Sequence, residues 1–375
     1  MSYLLTLMLA AACTCAAQQI APIRVWDESA LADWATPVAG LNVRPGHFSE
    51  HQYYSAAPAE WVRTYPVYIP GREPVSYWDM LSTKKPEPLI TPGARNRADW
   101  IATGKRVFTE LDVSPFRSYD PETIRKVRSP EAMTKMGARP LKDGTVFGLR
   151  WVPTSKGLAL SISECASCHV RVMPDGSTVD GAPANDPGNG LIGQLVSGGL
   201  ASFFRGDSPG VAAWRQFAVP WVANDIHENL KSMSGAELGE LFRSNPPGTF
   251  ARFNGSPYYA TKIPDLIGIG ERKYIDHTGT HRLRGAADVM RYAAVVTCCD
   301  SADFGPHRLL TDAQRVVFDR FPDELLFALV QYIYSLQPPA NPYASDPRAS
   351  LGRKVFGREG CGGCHTPPLY TNNKL

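Results

Sequence analysis

The sequence predicts a mainly α-helical fold, because two segments carry apolar residues at helical spacing. The first segment places five apolar residues on one face: Trp100, Ile101, Val107, Phe108 and Leu111. Asp99 directly precedes this stripe as a candidate cap. The second segment follows Pro322, which suits a first helical turn, and its stripe comprises Leu325, Leu326, Leu329, Val330, Ile333 and Leu336. We expect the two helices to cross in one core.

A short internal repeat predicts two related domains. Residues 104–108 read Gly-Lys-Arg-Val-Phe, and residues 352–356 read Gly-Arg-Lys-Val-Phe. The pentapeptide Cys-x-x-Cys-His follows each copy, at once in the second and after a long insertion in the first. Its residues are Cys165, Cys168 and His169 in the first motif and Cys361, Cys364 and His365 in the second.

This pentapeptide is the attachment signature of c-type haem. Its two thiols form thioethers with the porphyrin, and the adjacent histidine becomes the proximal ligand of the iron. A zinc site would want a second pair of ligands nearby, and a redox dithiol would not explain the histidine in both copies. The sequence therefore predicts two covalently bound haem c groups, with His169 and His365 as the iron ligands.

The remaining cysteines outside the leader are adjacent. Cys298 and Cys299 could form a vicinal disulfide or remain two buried thiols, and burial is the commoner state of a free cysteine. The sequence assigns them no chemistry.

Residues 1–17 resemble a secretory signal, with a short leucine-rich core and Ala17 before the cleavage point, although no basic residue precedes the core. Acylation of Cys13 in a lipoprotein signal is the alternative. We expect a periplasmic or secreted protein, with a lipid anchor as the alternative.

No later segment holds the ~20 consecutive apolar residues of a membrane span. The net charge of +3 gives no indication of nucleic-acid binding, for which a basic stripe would be expected.

The motifs and the repeat divide the chain into a wrap and two haem-binding domains. After the leader we expect an irregular N-terminal wrap at residues 18–94. The first domain is expected at 95–340, with an insert at 185–262, and the second at 345–375. Only ten residues follow His365, too few for a distal loop and a closing helix, so the second domain is expected to be truncated.

The distal side of the first haem decides between reaction and electron transfer, since only an open iron position binds peroxide or oxygen. Met290 stands about where cytochromes draw a ligand, although its sequence context favours packing within a helix. A second candidate segment runs from Pro264 through Gly268 to Tyr274, His277 and Gly279. His277, His281 and His307 could each instead be surface residues.

Together these features resemble the di-haem cytochrome c peroxidase superfamily, which includes the enzyme that matures methylamine dehydrogenase and the rubber oxygenases. The resemblance rests on the paired motifs, on Pro367 and Pro368 after the second motif, and on the loop from Pro264 to Gly279, which has one extra residue between tyrosine and histidine. The wide separation of the motifs, the N-terminal wrap and the helical insert are similar to the rubber-oxygenase branch. The likeness covers about residues 95–375.

The resemblance implies cytochrome c-type domains, the first complete with insertions. It implies a reactive first haem held by His169 and a six-coordinate second haem, held by His365, that relays electrons. Peroxide cleavage would need an acid or base, for which His277 and Asp276 are the candidates. An apolar substrate would instead want a dry cavity, which aromatic residues of the insert could line: Phe203, Phe204, Trp214, Phe217 and Trp221.

The expected partners are therefore peroxide, dioxygen or an apolar substrate at the first haem, and a redox partner protein. Two other readings stay open. The chain could be a non-catalytic electron carrier with both haems six-coordinate, which would need a firm distal ligand that no Pro-x-Met sequence supplies. It could also be a haem-binding sensor or a structural subunit of a redox complex.

Overall fold

The computed structural model describes residues 19–37, 42–112, 117–135, 140–185, 193, 197, 229–230, 232–250, 258, 260–275, 279–308, 311–313 and 315–374. Its helices are α1 (Glu28–Leu31), α2 (Glu50–Ser55), α3 (Tyr77–Thr83), α4 (Arg97–Glu110), α5 (Pro121–Val127), α6 (Pro130–Lys135), α7 (Glu164–His169), α8 (Gly235–Arg243), α9 (Ala286–Ala294), α10 (Asp323–Ser335) and α11 (Pro347–Arg358). A π-helical turn (Val295–Cys299) extends α9, and 3₁₀ turns occur at Ile269–Glu271 and Cys361–Gly363.

The strands are short and antiparallel. They are β1 (Pro45–His47), β2 (Tyr65–Tyr68), β3 (Thr145–Thr154), β4 (Gly157–Ile162), β5 (Val170–Val172), β6 (Thr178–Asp180), β7 (Thr249–Phe250), β8 (Thr261–Lys262), β9 (Tyr274–Ile275), β10 (His281–Arg282), β11 (Asp300–Phe304) and β12 (His307–Arg308). Three-stranded sheets have the orders β2-β3-β4 and β1-β11-β12, and β5-β6, β7-β8 and β9-β10 form pairs.

The predicted mainly α-helical class is wrong. Helices hold 38% of the described residues and strands hold 18%, in several small antiparallel sheets. The longest strands, β3 and β4, form a hairpin within the insertion between α4 and the first motif, with Thr154 paired to Gly157 across the turn. Gly157 has φ +114°, a conformation that glycine adopts without strain. Most other strands have only two to five residues, too few to leave a period-two pattern in the sequence.

The expected crossing of the two strongest helices is confirmed. α4 meets α10 at Gly104, where an added Cβ would lie 1.9 Å from the carbonyl oxygen of Ala328. Aromatic pairs lie on both sides of this crossing, Trp100 with Phe327 at 5.0 Å and Phe108 with Tyr332 at 5.4 Å between ring centroids. The backbones therefore touch directly, and rings fill the space to either side.

Both helix starts differ from the sequence prediction by a few residues. Asn96, not Asp99, caps α4 by accepting a hydrogen bond from the backbone N–H of Asp99, while Asp99 itself lies in the first turn. Pro322 lies one residue before α10 rather than in its first helical position. Asparagine, aspartate and proline all occur near helix starts, so the sequence gives the first residue of each helix only to within about one turn.

The N-terminal residues are part of the main core. Trp26 stacks on Tyr53 at 4.5 Å between ring centroids, and both are fully buried with Trp34 in the same cluster as α4, α9 and α10. A second core lies between β2–β4 and helices α3, α5 and α6, and contains Val67, Leu81, Val127, Met133, Val146, Leu149, Trp151 and Leu160. The N-terminal stretch therefore supplies side chains to both cores.

Helix α8 lies within the insert at 185–262. It buries Leu238 and Phe242 and begins with a capping box between Ser234 and Glu237. Across the described parts of the chain, no helix has the length and apolar character needed to cross a membrane.

Candidate functional site

The first Cys-x-x-Cys-His motif lies on one short helix. Helix α7 begins directly after β4 and ends at His169, so Cys165, Cys168 and the histidine share six residues. Cys165 and Cys168 are three apart and therefore project from the same side of the helix. Both are partly buried and in the thiol form, and Cys165 packs against the main core.

Backbone hydrogen bonds fix this helix at both ends. The N–H of Glu164 donates to the carbonyl of Leu111 at 2.8 Å, which ties the motif to the end of α4. The carbonyls of Cys168 and His169 accept from Ala184 at 3.0 Å and from Gly181 at 2.7 Å. Gly181 has φ +84°, and an added Cβ would lie 2.7 Å from a methyl carbon of Leu336, so the position requires glycine.

The imidazole of His169 is neutral. Burial lowers its pKa to about 4, although the backbone of Pro264 and the charge of Asp265 oppose the shift. Its Nδ1 atom is buried and makes no hydrogen bond among the described residues. A histidine must be neutral to bind a metal, so the ring is in the required state at pH 7.

These residues fit a covalently attached haem. Two thiols on one side of a helix supply the thioether bonds, and a neutral imidazole at its end supplies the iron ligand. Across the part of the chain that the structure describes, no group of three or more His, Cys, Asp or Glu residues is arranged to hold a metal ion. A c-type haem requires no such group, since one imidazole from the motif suffices.

The second motif is exposed. Cys361 begins a 3₁₀ turn after helix α11, Cys364 and His365 follow that turn, and both cysteines are thiols. Nδ1 of His365 lies 3.1 Å from the carbonyl oxygen of Tyr370. Since a carbonyl only accepts, Nδ1 carries the proton and Nε2 remains available to an iron, the orientation that metal-binding histidines commonly take.

The two predicted catalytic residues, Asp276 and His277, lie outside the described residues, between Ile275 and Gly279. The aromatic residues proposed for the insert also lie outside them, as does the side chain of His307. Met290 is fully buried in α9 within the main core, as expected for packing in a helix.

His281 is buried, so its surface alternative is wrong. Only 2% of it is exposed, because it lies under the N-terminal wrap. Its ring centroid is 4.4 Å from that of Trp34 and 5.1 Å from that of His47. The ring of Tyr292 covers it from α9 at 5.5 Å.

Sequence reasoning did not single out His47. Both its ring nitrogens are buried and make no hydrogen bond among the described residues. Burial holds its pKa well below the usual value, and charge on His281 and Arg291 acts in the same direction. The residues around it come from distant parts of the chain, so no local pattern marks this cluster.

Of the two states left open for the adjacent cysteines, the structure has the disulfide. Cys298 and Cys299 are joined in the π-helical turn after α9, and both are buried in the main core.

Comparisons with protein-family models, with curated proteins and with solved structures found no match to this chain.

Proposed function

We propose that this chain is an exported di-haem c-type cytochrome that transfers electrons and acts as an oxidoreductase at its first haem. The observation that carries the proposal is the arrangement on α7, where two thiols and a neutral imidazole occupy one helix fixed at both ends. The second motif supports it independently, because His365 is oriented by the Tyr370 carbonyl. The proposed location is the periplasm or the cell exterior.

When bound, haem supplies one-electron chemistry and, at an open position, a site for peroxide or dioxygen. The chain's own part is to hold the group through Cys165 and Cys168 and to ligate it through His169. Because α7 packs against α4 and the main core, water has limited access to this side. A dry surrounding strengthens electrostatic interactions and limits side reactions.

The resemblance assigns different roles to the two motifs. The first, half-buried on α7, would react with peroxide, dioxygen or an apolar substrate, with Asp276 or His277 moving a proton in the peroxide case. The second would exchange electrons with a redox partner protein.

A non-catalytic electron carrier is the second candidate. It would need a distal ligand at the first haem, for which Met290, buried in the same core cluster as Ala166 of α7, is the candidate side chain. A carrier would show two six-coordinate, low-spin haems in optical and paramagnetic resonance spectra of the protein. An oxidoreductase of the proposed kind would show one high-spin or ligand-binding haem.

Mass spectrometry tests the cofactor directly. Protein exported from a host that attaches c-type haem should carry two haem additions, because both motifs present two thiols and a histidine. The double variant Cys165→Ala, Cys168→Ala should carry one, and the reciprocal variant Cys361→Ala, Cys364→Ala should also carry one. A wild-type mass without haem, with four alkylatable motif thiols, would contradict the proposal.

A further inference from the structure

One loop contacts both motif segments. It runs from Pro264 to Lys273 and is called the bridging loop below. On one side, the N–H of its Leu266 donates to the carbonyl of Gly181 at 2.7 Å, and the N–H of Gly181 donates to the carbonyl of His169 at the same distance. Two hydrogen bonds and one residue therefore connect the loop to the proximal histidine of the first motif.

On its other side the bridging loop holds the segment that follows the second motif. The side chain of Asn373 makes two hydrogen bonds with it: Oδ1 accepts from the N–H of Lys273 at 3.0 Å, and Nδ2 donates to the carbonyl of Glu271 at 3.2 Å. Leu369 covers Gly268, since a Cβ added to this glycine would lie 3.2 Å from a leucine methyl carbon. The same segment contains Tyr370, whose carbonyl orients His365.

The bridging loop is itself firmly held. Arg272 pairs with the carboxylate of Asp265 at 2.8 Å and donates to its carbonyl at 3.0 Å, which closes the loop on itself. Gly270 lies against Tyr334 of α10, because an added Cβ would be 2.8 Å from the ring. A loop held in this way keeps the two motif segments in one fixed relation.

We propose that the bridging loop is the route of electronic coupling between the two haem groups, and that Asn373 is the positioning residue that docks the second motif to it. The inference rests on the proposed function. An electron tunnels more readily through covalent and hydrogen bonds than through empty space. The path His169–Gly181–Leu266, then along the loop to Lys273, Asn373, Tyr370 and His365, consists of such bonds.

The transfer of an electron between the two haem groups makes and breaks no covalent bond. One electron leaves the His365 side, where a reduced one-electron donor protein replaces it, and one arrives at the His169 side. Two such transfers and two protons from solvent convert one hydrogen peroxide into two waters.

The test uses the variant Asn373→Gly in the full chain with both haems attached. Asn373 has φ +53°, which glycine adopts freely, so this change removes both side-chain hydrogen bonds without straining the backbone. The control is Asn372→Gly. Among the described residues, the side chain of Asn372 accepts from the N–H of Lys374 and donates weakly to the carbonyl of Gly363 in the second motif, but makes no hydrogen bond with the bridging loop.

The first readout is hydrogen exchange of the Lys273 amide, which Asn373 protects. The loss of two hydrogen bonds should raise its exchange roughly tenfold to thirtyfold in Asn373→Gly and leave it unchanged in the control. The second readout is intramolecular electron transfer after pulsed one-electron reduction. It should slow severalfold in Asn373→Gly and not in the control, because the route then lacks the hydrogen bond that joins Lys273 to Asn373.

Unchanged exchange at Lys273 would overturn the docking contact, and faster exchange with an unchanged transfer rate would overturn the coupling route. Both results leave the proposed function standing, since intact mass first establishes two attached haems in each protein. Failure of haem attachment in the wild type would instead contradict the proposed function.

Discussion

His47 is a titratable side chain in a place that disfavours its charge. Its ring lies 4.8 Å from that of Trp34 and 5.1 Å from that of His281, centroid to centroid. Trp26 faces its edge at 6.4 Å, and the Arg291 guanidinium is a nearby cation, paired with Asp288. With no compensating carboxylate at the ring, the neutral imidazole is strongly favoured in the folded state.

This burial predicts a loss of stability in acid. Below about pH 6.5 the unfolded chain binds a proton at this position and the folded chain does not, so the free energy of unfolding falls by up to ~1.4 kcal/mol per pH unit. Above that pH the contribution is fully present. His47→Leu should flatten this part of the profile, as measured by urea unfolding between pH 5 and 8.

Replacement of the exposed His51 by leucine is the control, and it should leave the pH dependence in place. A profile that is identical in wild type and His47→Leu would contradict the assignment. The difference in pH dependence between wild type and His47→Leu gives the contribution of His47 alone, because other histidines such as His169 are present in both proteins.

At the scale of elements, the internal repeat offers a matched pair of glycines. Gly104→Ala should lower the free energy of unfolding by about 1–3 kcal/mol, because its Cβ would meet the Ala328 backbone at the α4–α10 crossing. Gly352→Ala, in the same repeat position of α11, meets nothing within 4 Å and should stabilise its helix by up to about 1 kcal/mol. Denaturant unfolding measures both. Equal effects would show that the crossing does not depend on a small residue.

The helices could be predicted from the sequence where a long apolar stripe marks one face, as in α4 and α10. The β3–β4 hairpin, which lies between α4 and the first motif, was not predicted. Val146, Trp151 and Val152 favour strands, but β3 has no strict alternation of apolar and polar residues. The motif residues are local in the chain and could be found directly. The cluster of His47 with His281 could not, because only the folded chain brings β1 and β10 together.

At the scale of the whole molecule, the N-terminal residues connect two cores. Trp26 and Trp34 belong to the main core with α4, α9 and α10, while Val67 and Leu81 belong to the core of the hairpin insertion. The first motif lies between these parts, since α7 follows β4 directly and packs on α4. Its burial is therefore a property of the assembled chain rather than of the pentapeptide.

That burial leads to the last prediction, that exogenous ligands react at the first haem. Cyanide, carbon monoxide or peroxide added to the loaded protein should change its optical spectrum. The spectrum of the ligand complex should differ in His169→Gly, because the iron then lacks its proximal imidazole, and added imidazole should restore the wild-type spectrum by occupying the space of the missing ring. In His365→Gly the spectrum of the ligand complex at the first haem should be retained, because His169 is intact.

Two results would contradict this assignment. One is a wild-type protein whose haems are all low-spin and unresponsive, which would favour the electron carrier and direct attention to Met290 as a ligand. The other is a spectrum of the ligand complex that is unaltered in His169→Gly and altered in His365→Gly. That outcome would place the reactive iron on the exposed motif, and burial of α7 would then serve electron storage rather than reaction with substrate.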